Sequence, residues 1–317
     1  MRQRVVEAAR RLGYRPDFFA SSMRRRTSRL VGLIRANPPE PASMRHALKG
    51  LEAELGADYR LLFLGCEWFE EQQEKAVDML RDLNVEGLLL WDLPAWFPFR
   101  VLAGLRARGT PLAAISGPRC AGVPHFRSDV RGAFGDLTRH LLAAGRRRLV
   151  LLTKAHPPQQ RDLYWRTYER EEGFRDGLQG CPEAKGWLCR EGEESSKLGQ
   201  EPKDPFAAGY VGMKAVMTGA PWRPDAVICT NDLWAAGALR AARELGLDVP
   251  REMALTGFDN LPLGAYLSPS LTTMEQALED LISGAVGVLS KAIKGAGSAD
   301  DGVFKLPCRL IARESAP

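Results

Sequence analysis

Residues 226–246 read AVICTNDLWAAGALRAARELG. The stretch begins with an apolar run, Ala226–Thr230, which has the length and composition of a strand buried on both faces of a sheet. An amphipathic pattern over 232–245 then predicts a helix, and either Asn231 or Asp232 can cap its first turn. A buried strand followed directly by a helix is the repeating unit of a parallel α/β sheet.

The same unit recurs along the chain from Leu30 onward. The other predicted strands are Leu30–Ile34, Leu61–Leu64, Gly87–Trp91, Pro111–Ile115, Leu149–Thr153 and Met253–Gly257. The other predicted helices cover 44–55, 70–83, 98–108, 131–144, 168–179, 207–219 and 275–294. The pattern therefore predicts an α/β fold with parallel sheets, divided into two lobes with a break near Thr153–Pro158. The polar stretch Glu183–Pro205 is expected to be an irregular surface segment.

Positive charge is concentrated at the beginning of the chain. The formal net charge is +5, but residues 1–29 contain nine arginines and two acids and carry +7, so the remainder carries −2. A short basic segment ahead of a nearly neutral body suits a polyanion, either nucleic acid or an anionic membrane. No apolar run approaches the ~18 residues that cross a bilayer, and Arg10, Arg11 and Arg15 interrupt any secretory signal. We therefore expect a cytoplasmic protein that does not span a membrane.

The sequence offers little for catalysis or metal binding. Its six cysteines include no C-x-x-C pair, and its four histidines show no H-E-x-x-H spacing, so no metal site is expected. The phosphate-loop, nucleophile-elbow and dinucleotide-binding motifs do not occur in a suitable context. We expect neither an enzyme nor a bound cofactor.

Ligands of parallel α/β proteins bind outside the carboxyl ends of the strands. The polar and aromatic residues at those ends are Trp91-Asp92, Ser116, Thr153-Lys154, Thr230-Asn231-Asp232 and Gly257-Phe258-Asp259-Asn260. Carboxylates, amides and rings together suit a neutral polyhydroxylated ligand. A structural interpretation stays open, because Asn231 or Asp232 can simply cap a helix and Asp259-Asn260 can shape a turn.

Several motifs follow one another along the chain in a recognisable order. They are V-x-x-A-A-x-x-L-G-Y-x-P at Val5–Pro16, Asp129 with His140-Leu141 and Gly145, R-x-x-G-F at Arg170–Phe174, TNDLWAAGAL at Thr230–Leu239, TGFDN at Thr256–Asn260, and SLTTMEQ at Ser270–Gln276. With these motifs the chain resembles the LacI/GalR family of bacterial transcription regulators along nearly its whole length.

The resemblance implies a periplasmic-binding-protein-like core of two lobes, preceded by a remnant of a helical DNA-binding segment and a hinge helix. The remnant would cover 1–29, one lobe 30–153 and 278–305, and the other lobe 154–277 and 306–317. It also implies a homodimer that binds operator DNA and a small-molecule effector, a sugar or small metabolite, which alters operator affinity. The implied effector-binding residues are Asp129, Arg170, Asn231, Asp259 and Gln276.

Members of this family begin with a helix-turn-helix whose second helix enters the major groove. Here Val5–Leu12 matches the helix that follows that pair, so the resemblance implies that the first two helices are missing. The hinge helix, Asp17 to about Arg25, would enter the minor groove with Met23 as the wedge that opens a base step. The implied DNA contacts are Ala20, Met23, Arg24, Arg25 and Arg26.

Two other classes of protein share an α/β core. A sugar-binding receptor of a transport system would need an export signal, and it would not need a basic hinge. An enzyme of the same class would need catalytic motifs. The sequence therefore favours the regulator.

Trp91, Trp165 and Trp222 are further candidates for stacking on a sugar ring, with ordinary packing as the favoured alternative.

Overall fold

The computed structural model describes residues 7, 11, 13, 27–35, 41–57, 59–65, 70–93, 97, 99–156, 164–192, 204–296 and 301–317. The chain forms two compact units. One unit comprises Met1–Phe126 and Ile282–Phe304, and the other comprises Arg127–Leu281 and Lys305–Pro317. Strands alternate with helices in both units, so the predicted α/β fold is confirmed.

The first unit is built from elements that begin at Leu30. In chain order they are β1 Leu30–Arg35, α1 Pro41–Leu55, β2 Arg60–Gly65, α2 Glu70–Asp82, β3 Gly87–Trp91, α3 Ala103–Ala107, β4 Leu112–Ile115 and β5 His125–Ser128. A short 3₁₀ turn, Phe99–Leu102, precedes α3. The chain leaves this unit through β5 and returns to it later.

The elements of the second unit follow β5. They are α4 Val130–Ala143, β6 Arg148–Lys154, α5 Trp165–Leu178, β7 Lys185–Glu191, α6 Pro205–Gly219, β8 Ala226–Cys229, α7 Asp232–Glu244, β9 Ala254–Thr256 and β10 Thr273–Glu275. The remaining elements are α8 Leu278–Ile293, β11 Val303–Leu306 and β12 Arg309–Ile311.

The described residues of the first unit are organised around a sheet with the strand order β11-β5-β4-β3-β1-β2. The pairs β1–β2, β1–β3, β3–β4 and β4–β5 are parallel. Strand β3 is buried at all five positions, which is why its sequence is a continuous apolar run.

The second unit is a parallel sheet with the order β7-β6-β8-β9 and a helix layer on each face. Successive side chains of β6 point to opposite faces. Leu149 and Leu151 pack with α4 and α5 around Phe134, whereas Leu152 packs with α6 and α7 around Met213. Because both faces are covered, the carboxyl ends of these strands are the polar edge of the unit.

The structure corrects the expected position of the first crossing between the lobes. The chain passes from one unit to the other at 126–127, not after residue 153. Helix α4 and strand β6 belong to the second unit because Phe134 and Leu149 share its core with Phe174. This crossing could not be predicted from the sequence, because β5 has the sequence His-Phe-Arg-Ser and contains no apolar run. The other crossings, at 281–282 and 304–305, lie close to those expected at 277–278 and 305–306.

The expectation of an irregular segment over Glu183–Pro205 was wrong in its first part. Lys185–Glu191 forms β7, the strand at one edge of the second sheet, in parallel register with β6. Its first two residues are exposed and only Cys189 and Glu191 are buried, as expected of an edge strand. The sequence pattern did not predict β7, because the strand contains charged residues.

The basic segment lies mostly outside the described residues. Of the helix expected over 5–12, Glu7 and Arg11 are described and are helical, and Gly13 has a φ of +62°, which suits a helix end. The expected DNA contacts Ala20, Met23 and Arg24–Arg26 lie outside the described residues. No helix in the described ranges is long and apolar enough to cross a membrane.

Candidate functional site

The five residues implied as effector contacts all belong to the second unit. They are Asp129 ahead of α4, Arg170 in α5, Asn231 ahead of α7, Asp259 after β9, and Gln276 after β10. The structure brings Asp259, Gln276 and Arg170 together, and it uses Asn231 and Asp129 as helix caps.

Asp259 is the centre of this group. Gln276 Nε2 donates a hydrogen bond to Asp259 Oδ1 at 2.6 Å. Burial raises the pKa of Asp259 to about 7, and the nearby charges of Arg170 and Arg166 act in the opposite direction. Burial of the carboxylate therefore outweighs the charges of two guanidinium groups of α5.

The backbone that presents Asp259 is unusual. Asp259 and Asn260 have φ values of +111° and +52°, in the region that side chains other than glycine rarely occupy. Such a conformation persists only where neighbouring contacts fix it. Asn260 is fixed on both sides, because its amide donates to Glu275 at 2.8 Å and its carbonyl accepts from Arg313 at 2.7 Å.

Asp232 holds the loop that carries Asp259 and Asn260 in place through hydrogen bonds. Its buried carboxylate accepts hydrogen bonds from the backbone of Leu261 at 2.7 Å and from Thr273 Oγ1 at 2.6 Å. A Cβ atom on Gly257 would lie 2.2 Å from Asp232 Oδ1, so this position admits only glycine. Burial raises the pKa of Asp232 to about 6. Asp232 is thus a structural residue that shapes the loop carrying Asp259.

The capping alternative considered for Asn231 is confirmed. Asn231 Oδ1 accepts a hydrogen bond from the backbone of Trp234 at 3.0 Å and caps α7. The cap does not use the amide nitrogen, which is the group that Asn231 could offer to a ligand. Asp129 caps α4 in the same way, through a bond from Gly132 at 3.2 Å.

Arg170 rests on an aromatic surface. Its guanidinium group lies 5.8 Å from the ring centre of Phe134, which in turn packs against Phe258 at 5.4 Å. Arg166 lies one turn earlier on α5 and acts on the same carboxylate. Arg166 carries no sequence signal of this role, because only its electrostatic effect on Asp259 in the folded chain reveals it.

The tryptophan candidates differ in their surroundings. Trp91 is 2% exposed and is packed in the core of the first unit. Trp222 packs on the face of the second sheet that carries α6 and α7. Trp165 is partly exposed at the start of α5, and the guanidinium groups of Arg127 and Arg166 each lie 5.0 Å from its ring centre. Trp165, the stacking candidate that lies on the same helix as Arg170, is thus flanked by two cationic groups.

A buried ionic cluster, not anticipated from the sequence, holds α5 in place. Glu171 is 2% exposed and accepts hydrogen bonds from Arg190 at 2.8 and 2.9 Å, from Arg175 at 3.0 Å and from His156 at 3.2 Å. Burial would raise the pKa of Glu171, but the bonds and charges of Arg190 and His156 outweigh burial and lower it. The cluster ties α5 to the ends of β6 and β7.

The described part of the chain contains no group of three or more His, Cys, Asp or Glu side chains that could hold a metal ion. The polar groups of the site are carboxylate, amide and guanidinium groups around Asp259. These groups can donate hydrogen bonds to an organic ligand and accept them from it.

The fold and the family match define the class of protein. A family model described as a periplasmic binding protein-like domain matches residues 138–316. A LacI family transcriptional regulator from Enterococcus faecium, solved with bound ribose, has the same fold, with a TM-score of 0.70 over 90% of this chain and 98% of that chain at 19% identity.

Two relatives are transcription regulators. An uncharacterized HTH-type transcriptional regulator of Streptomyces limosus is 30% identical over 299 residues, which is 92% of this chain and 79% of that protein. The ribose operon repressor of Halalkalibacterium halodurans is 24% identical over 317 residues, 98% of this chain and 86% of that protein. The chain belongs to the LacI/GalR family and is a transcription regulator. The comparisons favour this reading over a transport receptor.

Proposed function

We propose that the second unit binds a sugar or related polyol as effector, and that this effector controls the affinity of the protein for its operator. The observation that carries the proposal is Asp259, a carboxylate anchored on one oxygen by Gln276 and placed beside Arg170. The name of the Halalkalibacterium relative and the ribose in the Enterococcus structure support the same chemical class.

A polyol suits this arrangement because each hydroxyl group can both donate and accept a hydrogen bond. The bond from Gln276 uses Oδ1 of Asp259, so Oδ2 is the oxygen that can accept from a hydroxyl. Arg170 supplies donors for a neighbouring oxygen, and the rings of Phe134 and Phe258 lie behind it. A ligand with adjacent hydroxyl groups would satisfy both charged side chains at once.

Calorimetry with a panel of pentoses, hexoses and disaccharides tests the proposal. We expect at least one sugar to bind, and Asp259→Ala to weaken that binding by about one to two decades, because a hydrogen-bonded charge contributes ~1.5–3 kcal/mol. Asp176→Ala is the matched control, since Asp176 is paired with Arg131 on the outside of α5. Unchanged affinity in a folded Asp259→Ala protein would remove this residue from the site.

We also propose that the protein acts in the cytoplasm and contacts operator DNA through Ala20, Met23 and Arg24–Arg26. The support is the concentration of nine arginines in residues 1–29 and the match of this segment to the family hinge. Basic side chains of this kind neutralise phosphates, which makes binding salt-dependent. Operator affinity of the Met23→Ala protein measured by fluorescence anisotropy checks the wedge role.

A homodimer is the proposed assembly, and each unit carries a surface groove that suits a second copy. The groove of the first unit, about 410 Å³, is lined by Leu48, Leu51 and the edge strand β2, with Glu52 and Arg60 at its sides. An apolar edge strand needs a cover. Because the groove holds an acid and a base, two copies related by a twofold axis can pair them.

The groove of the second unit has the same character. It has a volume of about 500 Å³ and lies on α6 and α7, with Phe206 and Tyr210 as its large apolar residues. Phe206 is 46% exposed, and Asp204 and Arg240 supply opposite charges. This surface therefore meets the same requirement of self-complementarity.

We expect Phe206→Asp to convert the dimer to a monomer at micromolar concentration in sedimentation velocity, because a charge would be buried in the centre of the interface. An acid in the first turn of α6 is compatible with the helix, so the fold should persist. Met79→Asp is the control, since Met79 is 48% exposed on α2 and does not line either groove. A Phe206→Asp protein that sediments as a dimer would exclude this surface.

A further inference from the structure

Three side chains form a relay that ends at Asp259. Ser128 Oγ donates to Gln276 Oε1 at 2.9 Å, and Gln276 Nε2 donates to Asp259 Oδ1 at 2.6 Å. Ser128 is 2% exposed and is the last residue of β5, the strand through which the chain enters the second unit. An amide has one donor end and one acceptor end, so the direction of the first bond sets the direction of the second.

We propose that Ser128 is a positioning residue, which orients the amide of Gln276 toward Asp259 and thereby favours the ionised form of that carboxylate. The consequence for effector recognition rests on the proposed function. An ionised Asp259 accepts hydrogen bonds from hydroxyl groups, whereas a protonated Asp259 would compete with them as a donor. Ser128 itself need not touch the effector.

Cys308 is a second polar neighbour of Ser128. Burial raises the pKa of this thiol to about 12, and Ser128 acts in the opposite direction. Thiol sulfur is a weak acceptor, whereas an amide oxygen is a strong one. The single hydroxyl proton of Ser128 is therefore assigned to Gln276 Oε1, which lies 2.9 Å away.

The opposite orientation of the amide would face Asp259 with Gln276 Oε1. Two acceptor oxygens repel each other, and the repulsion ends when the carboxylate takes up a proton. The other charged groups around Asp259 are Arg170 and Arg166 of α5, which favour its ionised form, and Asp232 of α7, which opposes it. Burial is the largest influence and raises the pKa of Asp259, so the hydrogen bond from Gln276 acts against burial together with the two arginines.

The test measures the titration of Asp259 in the ligand-free, full-length chain. Carbon-13 NMR of protein labelled at the aspartate carboxyl groups, with Asp259→Asn to assign the signal, gives the midpoint directly. We expect Ser128→Ala to raise the midpoint by about one pH unit, because the charge-assisted bond from Gln276 is lost or reversed. Ser128→Thr keeps the hydroxyl and is expected to keep the midpoint.

Gln276→Met removes the amide, so it gives the largest shift of the Asp259 midpoint that loss of the relay can produce. If Gln276→Met raises the midpoint while Ser128→Ala leaves it within about 0.2 unit of the parent, the positioning role of Ser128 is wrong. The same holds if neither variant moves the midpoint. Because no effector is used, the result is independent of the sugar screen: a chain that binds no sugar but shows the shift would overturn the proposed function alone.

Discussion

Replacing Glu171 with alanine is expected to lower the free energy of unfolding by about 3 kcal/mol. The Glu171 carboxylate is almost completely buried and accepts hydrogen bonds from Arg190, Arg175 and His156. Its removal would leave two guanidinium groups without their buried counter-charge. Arg190 and Arg175 are 28% and 52% exposed and can turn toward water, which keeps the loss at the lower end of the range for buried ion pairs.

Urea unfolding of the two proteins at the same pH gives this difference, and Glu172→Ala is the matched control. Glu172 is the next residue of the same helix, and it pairs with the exposed side chain of Arg131 at 3.1 Å. An ion pair of that kind contributes at most about 1 kcal/mol. Equal losses for Glu171→Ala and Glu172→Ala would show that the buried cluster adds nothing beyond a surface pair.

The strands that could be predicted from the sequence are those that carry a continuous apolar run. β3 and β6 carry uninterrupted apolar runs because helices cover both sides of their sheets. The strands β5 and β7 were missed for the opposite reason, since they contain charged residues at sheet positions that are only partly covered. Missing β5 displaced the expected crossing between the lobes, because this strand carries the chain from one unit to the other.

The residues of the candidate site divide in the same way. Asp259 and Arg170 could be named from the strand-end rule and the motifs, because both features are local in sequence. Ser128 could not, because its role depends on a bond to Gln276 across 148 positions of the chain. One feature of the sequence pointed to Glu171. It lies on the same face of the helix as Thr167 and Phe174, which are both buried. An apolar residue is expected at such a position, so a glutamate there is unusual.

The free energy of unfolding is expected to fall by about 2–4 kcal/mol between pH 5 and pH 8. Burial raises the pKa of Asp259 to about 7 and that of Asp232 to about 6, from an ordinary value of 3.8. In this range the folded state binds more protons than the unfolded state. Its stability therefore decreases as the pH rises through the ordinary value and stops decreasing above the folded pKa of Asp259.

Carboxylates with a lowered pKa act in a different window. Glu171 and Asp176 contribute stability that is lost as the pH falls below their ordinary values, near 4.5 and 3.8, so they do not affect the range above pH 5. Urea unfolding at intervals from pH 5 to pH 8 measures this slope, and variants of the two buried aspartates show how much of it they supply.

Asp259→Asn should flatten the larger part of this slope, because an amide does not ionise, while Asp176→Asn should leave it unchanged. A slope that survives Asp259→Asn would mean that Asp259 ionises in the folded chain at its ordinary pH. The expected slope is the stability that is lost when a buried carboxylate ionises. The ionised carboxylate is also the form that the proposed function requires to accept hydroxyl groups of an effector.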